Sequence, residues 1–89
     1  MREFIVSLEG VNSFDEFVAA FNSGFCNAVG GHWNGRSWDA FNDYLSWPEE
    51  NEYRLSFEGW HKCPSLSAED RRMITEIVRG NPHVAAKYA

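Results

Sequence analysis

The chain has 89 residues, a net charge of −5 and an aromatic content of 16%. One domain of this size buries about 60–65% of the surface its unfolded form exposes, which allows one small core and no deep substrate cavity beside it. Thirteen acids against eight bases argue against nucleic acid as a ligand, since phosphate binding needs basic density.

A hydrophobic content of 44% excludes a disordered chain. No stretch reaches the ~20 apolar residues of a membrane span, and Met1-Arg2-Glu3 leads into an apolar run too short for a signal peptide. A cytoplasmic chain is therefore expected. Cys26 and Cys63 stand far apart without CxxC spacing, the pattern of two reduced thiols. His32, His61 and His83 show no metal-ligand spacing, so neither a metal nor a cofactor is expected.

In chain order, Phe4–Leu8 is short, apolar and β-branched and reads as a buried strand ended by Glu9-Gly10. Ser13 and Glu16 form a capping-box pattern ahead of Phe14, Phe17, Val18 and Phe21, which predicts a helix from about Phe14 to Asn22, with Gly24 as its stop. Residues 27–36 read as a glycine-rich loop.

A second helix is predicted from about Ser37, with Pro48 at or just beyond its end. Trp38, Phe41 and Leu45 form its apolar stripe, while Asp39, Asn42, Asp43 and Ser46 form a polar one. Tyr53, Leu55 and Phe57 alternate with polar residues as a strand does. Ser67 and Asp70 open a helix to about Arg79, closed by Gly80 and Asn81-Pro82. His83–Tyr88 is a candidate third strand. Strands separated by helices imply crossovers and a parallel sheet, so the fold class is α/β in a single domain over residues 1–89.

The charge is unevenly placed. From Ser37 to Glu58 six acids face Arg54 alone, while Gly59–Ala89 carries five bases and three acids. Asp39 and Asp43, at i and i+4, repel each other by about 0.2–0.5 kcal/mol, so the helix does not arrange its charge for its own stability. A solvated helix face is the ordinary account of such a pair; a cationic protein surface is the functional one. A third account makes Asp39 and Asp43 an acid–base pair of a small enzyme, which requires an enclosed site that an exposed helix does not offer.

The run Trp33-Asn34-Gly35-Arg36-Ser37-Trp38-Asp39-Ala40-Phe41-Asn42-Asp43-Tyr44-Leu45, with the Ser-Phe-Asp-Glu-Phe segment before it, resembles the barstar family of intracellular ribonuclease inhibitors. The resemblance covers most of the chain and implies a small three-stranded parallel sheet packed by three to four helices. It implies no enzyme, but a chain, monomeric when free, whose second helix and preceding loop plug the cationic active site of a secreted ribonuclease. Asp39 and Asp43 resemble the family's inhibitory aspartates, and Trp33 and Gly35 the aromatic and glycine of its binding loop. Glu76 resembles an acidic contact on the last helix.

A carboxylate suits that task because it occupies a phosphate position and accepts bidentate bonds from Arg. Trp33 would lie over the base-binding surface. Asn34, Asn42, Ser46 and Trp47 complete the expected face. Asn34 and Ser37 replace an aromatic and an asparagine of the family pattern, Asn42 stands where the type member has tryptophan, and the segment after Leu45 is short. These departures keep open a second partner class: another basic toxin nuclease, for which the chain would be an immunity protein.

Overall fold

The computed structural model describes residues 1–89. Three strands, β1 (Arg2–Ser7), β2 (Tyr53–Glu58) and β3 (Val84–Tyr88), form one sheet in the order β1-β2-β3, all parallel. Three α-helices connect and cover them: α1 (Phe14–Phe21), α2 (Trp38–Tyr44) and α3 (Ala68–Arg79). The α/β class, the parallel three-stranded sheet and the third strand match the sequence reading.

Register explains which face is buried. Phe4 pairs with Leu55 and Tyr53 with Val84, so Phe4, Val6, Tyr53, Leu55, Phe57 and Val84 point into one layer with the helices. The opposite face shows Glu3, Ile5, Arg54, Glu58 and Lys87 to solvent. Parallel sheets are usually covered on both faces. Here mixed charge replaces the second cover, and Ser56 at its centre is buried and donates to Glu3 Oε2 at 2.8 Å.

The helices start where hydroxyl caps place them. Ser13 Oγ accepts from the Glu16 amide, Ser37 Oγ from the Asp39 and Ala40 amides, and Ser67 and Asp70 form a reciprocal capping box. Each satisfies amides that the first helical turn leaves without partners.

One expectation fails after α1. Gly24 does not stop the helix. The chain continues as a π-helical turn over Asn22–Cys26 and a 3₁₀ turn over Asn27–Val29, and closes at Gly30 with φ +85. Two forces extend it. Phe25 and Cys26 are buried, so their segment must stay against the core. Gly24 lies on the β1 backbone, where a Cβ would collide with the Ile5 carbonyl. Its missing side chain serves close approach here, not termination.

The core is aromatic. Phe21 packs on Phe25, Phe41 and Trp33 with ring centroids 5.3, 4.7 and 5.7 Å apart. Both cysteines are free and buried, and burial pushes the Cys26 thiol up to about 11, partly offset by a backbone hydrogen bond at Trp33. Arg71 clamps the segment after β2: it donates to the carbonyls of Trp60, Cys63 and Leu66, and its guanidinium lies 5.0 Å from the Trp60 ring centre.

Candidate partner-binding face

The predicted two-sidedness of the second helix is what folds. Phe41 and Leu45 are fully buried, and Trp38 is half-buried against Trp33 and Phe14. Asp39, Asn42, Asp43 and Ser46 are exposed together. The ion pairs of the molecule are Arg2–Glu50, Arg72–Glu69 and Arg72–Glu76, so neither Asp39 nor Asp43 has a cation of its own chain. Their side chains also accept no hydrogen bond, although Asp39 contributes its backbone amide to the Ser37 cap.

The end of the helix is held from the sheet. Tyr53 donates from its hydroxyl to the Leu45 carbonyl at 2.6 Å, and His83 donates from Nε2 to the same oxygen at 2.9 Å. Burial drives the Tyr53 phenol well above its ordinary value, so it remains a donor. β2 and the residue just before β3 therefore fix the C-terminal end of α2. A rigid seat of this kind makes the spacing of two exposed carboxylates reproducible.

Trp33 corrects the expectation most. Its side chain is 1% exposed and cannot lie over a partner's surface from this position. The indole turns inward among Phe14, Phe17, Phe21 and Phe41 and donates from Nε1 to the Ser37 carbonyl at 2.9 Å. Its place is below the face, where it ties the N-cap of α2 to the core. A loop aromatic of this size is drawn inward because the small core gains more from burying the ring than solvent does from contacting it.

The residue that holds Trp33 was not singled out by the sequence. Asn22, 4% exposed, donates from Nδ2 to the Trp33 carbonyl at 2.8 Å and accepts from the Trp33 amide at 2.6 Å. This reciprocal pair satisfies both backbone groups of a buried loop residue. One signal for it existed: an asparagine in phase with Val18, on the apolar side of α1.

The rest of the loop is shaped for exposure. Asn34 Oδ1 accepts from the Arg36 amide at 2.9 Å, an Asx turn that leaves both side chains outside. Gly35 has φ +78, and a Cβ there would come within 2.6 Å of Val18, so glycine answers both a backbone and a packing requirement. Tyr44 donates to the His32 carbonyl at 2.7 Å and packs on Trp47, whose side chain remains 48% exposed.

Two other expected members are occupied. Asn42 accepts from Asn81 Nδ2 at 2.8 Å. Glu76 is exposed but bound to Arg72, which also holds Glu69. Asn34, Asp39, Asn42, Asp43, Ser46 and Trp47 are thus all exposed on α2 and its flanking segments, Gly35 packs against Val18 of α1, and Glu76 is engaged on α3. Neither aspartate lines the cleft of about 440 Å³ bounded by Arg2, Val29, Trp47 and Glu49. No group of three His, Cys, Asp or Glu side chains is placed to hold a metal ion.

A family model described as Barstar (barnase inhibitor) matches residues 1–87. The chain belongs to the barstar family. No curated protein and no solved structure matches it. Barstar-family proteins are inhibitors of ribonucleases rather than enzymes, and their partners are proteins. No helix of this barstar-family chain is long and apolar enough to cross a membrane.

Proposed function

We propose that this chain is a cytoplasmic inhibitor of a secreted microbial ribonuclease and works by placing Asp39 and Asp43 where the enzyme holds substrate phosphate. One observation carries the reading: two carboxylates share an exposed face one helical turn apart, with roughly 5–6 Å between their Cβ atoms and no cation of their own chain. Left in water, the pair is mildly unfavourable. Against arginine and lysine in a cleft, each carboxylate gains charge-assisted hydrogen bonds while the cleft shields them from solvent.

Asn34, Asn42, Ser46 and Trp47 frame the pair, and Trp33 acts from below by fixing the start of the helix. The negative field of residues 37–58 draws a basic partner toward the face at low salt. Titration calorimetry of the purified chain against secreted microbial ribonucleases, with RNA cleavage measured in parallel, tests the reading. A one-to-one complex that stops cleavage supports it. Absence of any complex across such enzymes overturns it.

A second reading replaces the ribonuclease by another basic toxin nuclease, with this chain as its immunity protein. Two polar side chains favour it: Asn34 stands where the family pattern is aromatic and Asn42 where the type member has tryptophan, so the surface around the carboxylates is more hydrophilic. Recovery of the partner from the producing cell distinguishes the two.

A further inference from the structure

Asn42 lies between the two aspartates in sequence and to one side of them on the helix surface, and its orientation follows from a chain of hydrogen bonds. Asn81 Nδ2 donates to the Ile77 carbonyl at 2.8 Å. A carbonyl only accepts, so the amide nitrogen of Asn81, not its oxygen, faces this corner. The same nitrogen lies 2.8 Å from Asn42 Oδ1. One of its two hydrogens serves Ile77, and the other is left for Asn42, which must answer with its oxygen. The amide nitrogen of Asn42 then points the other way. It has no partner in the chain, and the residue is exposed.

We infer that Asn42 presents two N–H donors beside the paired carboxylates, locked in that orientation by Asn81, and that they recognise a hydrogen-bond acceptor oxygen lying beside the cationic groups of the partner's cleft. The inference rests on the proposed ribonuclease-type partner and adds the third element of its recognition. The pattern offered is two neighbouring carboxylates with a donor beside them, so the complementary cleft places an acceptor beside its cations. A cleft of cations alone would be served better by a third acid. An acceptor among them, such as a carboxylate that takes a proton during cleavage of RNA, would be repelled by a third acid and bound by an amide. Asn81 is a positioning residue: it touches no partner and acts through Asn42.

Asn42→Asp tests the sign. Aspartate keeps the oxygen that Asn81 requires, so the latch and the fold survive, while the donors are replaced by negative charge. If charge alone governs recognition, Asn42→Asp binds a microbial ribonuclease more tightly. The inference expects the reverse, a loss of about tenfold or more, which is the scale of one hydrogen bond to a charged group. Asn81→Ala is expected to lose about two- to fivefold, and to lose nothing further when Asn42 is already alanine.

Equal or tighter binding by Asn42→Asp, while Asp39→Asn still weakens the complex, overturns the inference and leaves the proposed function standing. Loss of neither, or no complex at all, removes the function and the inference together. The free protein gives an independent reading by NMR. The Asn81 side-chain NH₂ should exchange slowly with water and the Asn42 NH₂ fast; the opposite order overturns the latch.

Discussion

Helices α2 and α3 each carry paired acids, and they use them in opposite ways. On α3, Arg72 stands between Glu69 and Glu76 and binds both. It holds Glu69 below its ordinary value, and the two glutamates raise its own. On α2 no arginine or lysine occupies the turn between Asp39 and Asp43, and none reaches it from elsewhere. Both arrangements are exposed, so water and salt leave an internal ion pair little to contribute to stability in either place. What differs is availability: α3 spends its charge within the helix, and α2 leaves its charge without an internal partner.

The two helices also differ beneath the surface. α3 carries a full capping box and has 12 residues, whereas α2 has 7 and depends on its surroundings. Trp33 holds one end of it, and Tyr53 and His83 hold the other. A short helix is marginal in isolation, so α2 is rigid only through these tertiary ties.

The contrast breaks most visibly at Asn22. Asn22→Leu removes both bonds to Trp33 and leaves two buried backbone groups without partners. An expected cost of about 2–4 kcal/mol follows, read as a lower midpoint in urea unfolding. Next come Asp39→Asn and Asp43→Asn, each expected to weaken the complex by about 1.5–3 kcal/mol while thermal stability holds or rises by a few tenths, measured by calorimetry and thermal melts.

Smaller effects sharpen the comparison. Arg72→Ala removes an exposed clasp and is expected to leave the melting temperature nearly unchanged. It also frees Glu76, so binding to a basic nuclease should hold or tighten slightly; a clear weakening would mean that the Arg72–Glu76 pair itself forms part of the interface. The smallest effect is in pH. The Arg2 guanidinium holds the Glu50 carboxyl below its ordinary value of 4.5, as Arg72 does for Glu69. A carboxyl depressed in the folded state adds stability above the unfolded value, and that contribution disappears as pH falls through the folded one. Stability should therefore be flat near neutrality and decline below about pH 4, with Arg2→Ala showing a shallower decline in thermal melts across pH.

Much of the fold was legible because its signals are local. Ser13, Ser37 and Ser67 announce helix starts through side chains that reach only two or three residues ahead. Alternation marked β2, and the stripe of Trp38, Phe41 and Leu45 set the buried side of α2 and so exposed the aspartates. Long-range relations were not legible. Nothing near Trp33 in sequence says that its ring turns inward, because that depends on the cage built by α1 and α2. Gly24 looked like a helix stop because its packing against β1 joins residues that sequence alone does not bring together. Asn81 similarly meets Asn42 across 39 positions.

The central claim is that Asp39 and Asp43 are kept for a cationic cleft rather than for the fold. Binding of the Asp39→Asn, Asp43→Asn double variant to a microbial ribonuclease that the parent inhibits, measured beside its melting temperature, tests this most directly. The account expects inhibition to be lost while the melting temperature stays level or rises. A variant that inhibits as well as the parent, or one that unfolds, contradicts it.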